Sequence, residues 1–169
     1  MPTAFYAGRF DPIHNGHLDI IRRAAGLFER VIVGVEQSGN RASGPNYLFS
    51  TEERVDFFKD AIADHTNVSV MAYTGLTVEF ARTHGAAILI RSMRSNTDFE
   101  NEFNQAMMNR TMAPDIESVY LLSRLEHQFL SGTLIREVAY LGYDVTGLVP
   151  ANVAEALKRK FGGAQEKQP

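Results

Sequence analysis

Cysteine and tryptophan are both absent from the 169 residues. Without cysteine there can be no disulfide framework, no thiolate nucleophile and no cysteine-built zinc site. The chain also lacks an apolar run of roughly eighteen residues and a basic-then-apolar signal pattern near its start, so the expected compartment is the cytoplasm. Positive charge is scarce: 17 Lys and Arg stand against 20 Asp and Glu, for a formal charge of −3. That balance gives no basic footprint for nucleic acid, and the expected partner is a small molecule. With 44% hydrophobic residues, the length suits one domain with a full core over 1–161, followed by an expected disordered tail at 162–169. No internal repeat or linker divides it.

What the chain does have is concentrated first at Gly8-Arg9-Phe10-Asp11-Pro12-Ile13-His14-Asn15-Gly16-His17, between the apolar run 4–7 and an amphipathic segment from Leu18. This reads as strand, loop and helix. Gly8 and Gly16 allow a tight turn and close backbone approach, and the helix mouth near His17 offers unpaired N–H groups to an anion. Two histidines three residues apart add donors able to change charge near neutral pH, which suits a nucleotide phosphate. Zinc shared by His14 and His17 is the competing reading, but His65, His84 and His127 lack ligand spacing, and no metal ligands are assigned.

Further along, segments of β and α character alternate. Strands are expected at 31–35, 68–73, 88–90 and 119–122, in addition to 4–7. Helices are expected from Leu18, from Ser50 to about 63 with Ser50 and Glu53 as a capping box, at 77–84, and from Asn96 or Thr97 to Pro114. Two more are expected, at 131–142 and 150–161. On the fourth helix, Phe99, Phe103, Ala106 and Met107 have core spacing, and Met107 and Met108 read as core. The polar stretch 37–46 is long enough to be a mobile loop that closes over a ligand. The pattern predicts a Rossmann-like, doubly wound α/β sheet of five parallel strands. Ligands of such sheets bind beyond the strand ends where strand order reverses, and this rule gathers the histidine loop, Arg91 with Arg94, and Ser131-Gly132-Thr133 at one edge.

The motif Phe10-Asp11-Pro12-Ile13-His14-Asn15-Gly16-His17 resembles the (His/Thr)-x-Gly-His signature of the nucleotidyltransferase superfamily. The segments Ile90-Arg91-Ser92-Met93-Arg94, Asp98-Phe99-Glu100-Asn101-Glu102 and Met108-Asn109-Arg110 resemble the phosphopantetheine adenylyltransferase family, and the likeness extends over about residues 3 to 160. It implies a nucleotidyltransferase-type fold, ATP as substrate with magnesium as cofactor, transfer of AMP to 4′-phosphopantetheine in coenzyme A synthesis, and a homohexamer. It also implies His17, His14 and Arg94 at the reacting phosphates. Gly8, Phe10, Gly16, Glu102, Ser131, Gly132 and Thr133 would join them around ATP, while Arg91, Thr77, Asn109 and Glu137 would serve the acceptor.

The chain departs from that family at several positions. Arg9 stands where Ser or Thr is usual, His14 where Thr is, Ser92 where Gly is, and Gly132 where a hydroxyl residue is; the acceptor-binding lysine expected just before Phe49 is missing. Arg9 is the expected replacement cation. Gly8-Arg9-Phe10 with the histidine motif, and Ser131-Gly132-Thr133-Leu134-Ile135-Arg136, are also similar to archaeal-type nicotinamide mononucleotide adenylyltransferases. Another phosphorylated acceptor, or a nucleotide-binding protein without turnover, are therefore the alternatives.

Overall fold

The structure is a computed structural model that describes residues 1–39, 46–94 and 96–165, without the side chains of 96–98 and 163–165. Five parallel strands, β1 (Thr3–Gly8), β2 (Arg30–Glu36), β3 (Val68–Tyr73), β4 (Ile88–Met93) and β5 (Glu117–Leu122), form one sheet in the order β3-β2-β1-β4-β5. Each strand except β5 is followed by an α-helix that returns the chain for the next parallel strand, the one after β3 crossing β2 and β1 to reach β4. The helices are α1 (Asn15–Leu27), α2 (Thr51–Ala61), α3 (Thr77–Thr83), α4 (Asn96–Met112), α5 (Gly132–Tyr140) and α6 (Ala151–Gln165), with a 3-10 turn at Leu125–His127 before α5.

Strand alternation distributes the core to both faces of the sheet. Ala4 and Tyr6 of β1 point into a cluster with Ile20 and Ile21 of α1, Phe58 of α2, Ile135 of α5 and Leu157 of α6. Phe5 and Ala7 point the other way, to Val78 and Ala81 of α3 and to Ala113 and Ile116 after α4. The Ser50 capping box forms as the spacing predicts: Ser50 Oγ accepts from Glu53 N at 3.2 Å, and Ser50 N donates to Glu53 Oε2 at 2.8 Å. No helix among the described residues is long and apolar enough to cross a membrane.

Two expectations about extent change. β4 runs on through Met93, so Arg91 lies within the strand, opposite Tyr120 of β5, rather than after it. α6 continues to Gln165, four residues beyond its expected end at 161, and the remainder of the expected tail lies outside the described residues. Residues 40–45, the centre of the loop expected to close over a ligand, also lie outside them.

The larger correction concerns α4. Phe99, Phe103, Met107, Met108 and Met112 are exposed, and Phe99 and Phe103 stack on each other at 6.1 Å instead of entering the core. An apolar stripe at helical spacing shows that a face needs covering, without showing what covers it. Here the opposite stripe, Glu102, Gln105 and Asn109, is turned toward the reversal point of the sheet.

Candidate active site

Strand order reverses between β1 and β4, and there a cavity of about 510 Å³ opens beyond the strand ends. The loop after β1 is shaped by local crowding. A Cβ on Gly8 would lie 2.8 Å from the Phe10 ring, and Phe10 itself takes φ +49°, a conformation that side chains rarely adopt. Burial holds it there: its ring packs edge-on against Phe58 at 4.6 Å and His17 at 4.9 Å.

Asp11 then ties the loop to two other segments. Its carboxylate accepts from Leu48 N at 2.8 Å and Phe49 N at 3.1 Å, while Arg136 of α5 donates to its carbonyl and lies 3.4 Å from its carboxylate. The mouth of α5 presses on the same loop, since a Cβ on Gly132 would lie 2.8 Å from the Asp11 carbonyl. Ser131 caps α5, its Oγ accepting from Leu134 N at 3.2 Å.

His14 is the N-cap of α1, and its ring stacks on His17 with centroids 3.6 Å apart. The Nδ1 of His17 accepts the main-chain N–H of His14 at 3.2 Å. A neutral His17 therefore carries its proton on Nε2, as a donor. His14 Nδ1 is buried without a hydrogen-bond partner among the described residues. Burial, then Arg94 and His127, push the His14 imidazolium down to about 3. Burial, then His14 and Arg94, hold His17 well below the ordinary 6.5. The expectation of histidines that change charge near neutral pH is thus corrected: both are neutral at pH 7, because the loop that positions them also removes them from water.

This has a measurable consequence for stability. The unfolded chain returns both imidazoles to 6.5, so it binds protons in preference to the folded chain as pH falls below that value. Stability is complete above pH 6.5, declines below it, and for His14 stops declining near pH 3. At pH 5 the His14 imidazole is expected to cost about 2 kcal/mol relative to pH 7, and His17 adds to the loss in the same direction. Urea midpoints at pH 7 and 5, for wild type and His14→Asn/His17→Asn, measure this contribution. An equal drop in both proteins would show that the histidines are not its source.

Of the residues expected at the site, Gly8, Arg9, Phe10, His14, Gly16 and His17 border the cavity from the loop and α1; Thr77, Arg91, Arg94, Glu102 and Asn109 from the opposite side; and Ser131, Gly132 and Thr133 from α5. Arg94 Nη1 donates to Leu130 O at 2.8 Å. Arg91 is held by Glu102 through two bonds, Nε to Oε2 at 2.6 Å and Nη2 to Oε1 at 2.7 Å. Thr77 Oγ1 is 3.4 Å from the Tyr73 hydroxyl, and the buried Asn109 accepts from Gln105 Nε2 at 3.3 Å.

Glu137 is the exception. It is exposed and does not border the cavity, because a helix turns about 100° per residue and its neighbour Arg136 takes the inward direction.

Sequence reasoning passed over four contributors. Asp11 and Arg136 form the clamp just described, and His127 borders the cavity beside Gly16. Arg54 of α2 is fully buried beneath the site, with its guanidinium 4.2 Å from the centre of the Tyr47 ring. Its Nη1 donates to the carbonyls of Arg9 at 2.6 Å and Glu36 at 2.9 Å. A signal for Asp11 and Arg136 was present, since both lie inside motifs already singled out. Nothing local marks Arg54, which reads as one more charge on an amphipathic helix.

A cytidylyltransferase-like family model matches residues 5–138. The phosphopantetheine adenylyltransferase of Desulforamulus reducens is 42% identical over 162 residues, covering 96% of this chain and 98% of the relative. That of Moorella thermoacetica is 44% identical over the same length, covering 96% and 99%. Among solved structures, a bifunctional NMN adenylyltransferase/ADP ribose pyrophosphatase from Francisella tularensis superposes with a TM-score of 0.70 at 16% identity, over 94% of this chain and 49% of that one, a likeness of fold alone. The separated motifs and the end-to-end relatives agree, and the chain belongs to the phosphopantetheine adenylyltransferase family, within the cytidylyltransferase-like nucleotidyltransferases.

Proposed function

We propose that this enzyme transfers the adenylyl group of ATP to 4′-phosphopantetheine, giving dephospho-coenzyme A and pyrophosphate, a step of coenzyme A synthesis that would take place in the cytoplasm. The observation that carries the reading is the convergence of two stacked histidines, two arginines and the α5 mouth on one cavity, in a chain so similar to phosphopantetheine adenylyltransferases. An oxygen of the acceptor phosphate attacks the α-phosphorus. The new P–O bond forms as the bond to the oxygen bridging the α- and β-phosphorus breaks, and pyrophosphate leaves with that electron pair. No protein nucleophile is needed; the work is positioning and charge stabilisation.

In this reading His17 donates its Nε2 proton as a hydrogen bond to the α-phosphate, with His14 beside it. Arg94 and the main chain of Ser131, Gly132 and Thr133 hold the β- and γ-phosphates, Gly8 and Gly16 let the nucleotide approach the backbone, and Phe10 supports His17 from beneath. Arg91 and Arg9 hold the acceptor phosphate, with Thr77 and Asn109 along the pantetheine arm. Magnesium is proposed to arrive on the nucleotide, held by phosphate oxygens and water, and to neutralise the charge of the triphosphate. Asp11 and Glu102 are already committed to N–H donors, and no group of three His, Cys, Asp or Glu among the described residues could form a protein cage. The proposed assembly is a homohexamer, for which the exposed apolar face of α4 supplies surface suited to a second copy.

Pyrophosphate release from ATP, measured with 4′-phosphopantetheine and with nicotinamide mononucleotide, tests the reading. Turnover with the first is expected; turnover with the second alone would overturn it. The relatives do not favour the nicotinamide alternative.

Arg9 provides a finer test. Its guanidinium is exposed at the cavity, while Arg54 fixes its carbonyl, so the base of the side chain is rigid and its head is accessible. Arg9→Thr is expected to weaken acceptor binding by about thirty- to a hundredfold with ATP affinity nearly unchanged, as loss of a charge-assisted contact to phosphate would. Separate titrations with each substrate measure this, and unchanged acceptor affinity would remove Arg9 from the phosphate site.

A further inference from the structure

We propose that Asp19 is a positioning residue for the nucleotide: it anchors the chain between β5 and α5, and through that segment it sets His127, Arg94 and the α5 mouth against ATP. This rests on the adenylyltransferase reading above and adds to it a residue that does not itself border the cavity.

The segment needs an anchor. β5 is an edge strand, so the chain leaving it has a strand neighbour only in β4. From Arg124 to Leu130 the main chain folds by local bonds, with His127 N donating to Arg124 O at 2.9 Å and Leu130 N to His127 O at 3.1 Å. Leu125 and Phe129 are exposed, so apolar burial does little to hold these turns. The cavity nevertheless depends on them. Ser123 and His127 border it, Leu130 O accepts from Arg94 Nη1 at 2.8 Å, and Ser131 caps α5.

Asp19 ties the segment to α1 at two points. Its Oδ1 pairs with Arg124 Nε at 2.9 Å and its Oδ2 accepts from Arg23 Nη1 at 3.1 Å, while the same Nη1 donates to the Leu122 carbonyl at 2.7 Å. The Asp19 side chain is 9% exposed and that of Arg124 60%, so the aspartate is the fixed partner and the arginine is the one held. Charge-assisted bonds from two guanidinium groups to one buried carboxylate are stronger and more directional than neutral ones. The segment also runs close to α1 at the site, where a Cβ on Gly16 would lie 3.4 Å from His127 Cβ. One helix thus fixes the reacting histidine near its start and, through Asp19, the wall that holds the rest of the nucleotide. The residues assigned to the acceptor, Arg9, Thr77, Arg91 and Asn109, stand on other elements, so disturbing the tie should appear in ATP.

Initial rates of the full chain, with ATP and 4′-phosphopantetheine varied in turn, test the assignment. Asp19→Asn is expected to raise the ATP KM about tenfold, with kcat and acceptor KM within about twofold of wild type. Arg124→Ala, at an exposed side chain, should raise the same constant about threefold, and either variant reads the effect if the other folds poorly. In an Arg23→Ala/Arg124→Ala background, Asp19→Asn should add little to the ATP KM, because both of its partners are gone. A rise in acceptor KM with ATP KM unchanged, full additivity in the combined variant, or a loss of thermal stability with both KM values unchanged would each overturn the proposal. A wild-type enzyme inactive on 4′-phosphopantetheine would overturn the parent reading and this one with it, and the wild-type rate alone tells that failure from the others.

Discussion

His17→Ala is expected to lower turnover by about two to four powers of ten while leaving the fold in place and ATP binding only moderately weakened. The size follows from where the side chain spends its hydrogen bonds. Nδ1 is engaged by the His14 main chain at 3.2 Å, so Nε2–H is a donor of fixed direction on a half-buried ring, where lowered dielectric strengthens its effect on developing charge. Ground-state binding is shared with the Arg94 and α5 contacts and should survive. His17→Gln can place an amide donor near the former Nε2, whereas His17→Asn preserves only the acceptor for the His14 N–H, so glutamine should retain more turnover than asparagine. Single-turnover rates with independently measured ATP affinity separate the two effects. A near wild-type rate for His17→Ala would remove this residue from the chemistry.

Arg54→Met is expected to destabilise the protein by at least about 4 kcal/mol, the largest single loss of stability anticipated here. Methionine fills much of the same volume but leaves the carbonyls of Arg9, Glu36, Phe49 and Ser50 without the guanidinium that now serves all four, along with the hydroxyls of Ser38 and Thr51. Each acceptor left unpaired costs about 1–3 kcal/mol, of which water recovers only part, while the Ser50 carbonyl keeps the Arg54 main-chain N–H at 3.1 Å. Arg54→Lys should recover little, because three tetrahedral donors cannot reproduce a planar fork with five. Urea denaturation gives the number. A loss below about 1 kcal/mol for Arg54→Met would mean that the carbonyls find other partners and that the guanidinium is dispensable.

These two residues mark what could and could not be read from the chain. The position of His17 was legible because it is set locally: a glycine turn, a strand before it and a helix after it fix where the ring must stand. The strands were legible for the same reason, and 68–73 coincides with β3. Arg54 was hidden, since its burial depends on β1, β2 and α2 meeting in space and nothing in Glu52-Glu53-Arg54 distinguishes it from a solvated charge. The neutrality of His14 and His17 was hidden in the same way, because desolvation is a property of the finished fold. On α4 the period was read correctly and its meaning was not: the apolar stripe of Phe99, Phe103 and Met107 faces outward. Glu137, a family position carried over by resemblance, lies outside the cavity on a helix whose neighbouring residue Arg136 turns inward.

Consensus engineering offers a different view of Gly132. A designer restoring the hydroxyl residue usual for the family at this position would expect a gain in stability or activity. In this protein the added Cβ would press on the Asp11 carbonyl at 2.8 Å, and that carbonyl is the one Arg136 already holds. Position 132 and the histidine loop are therefore a matched pair, and the route back to consensus is closed unless both are exchanged together. The departures from the family pattern in this chain are better treated as linked sets than as independent sites.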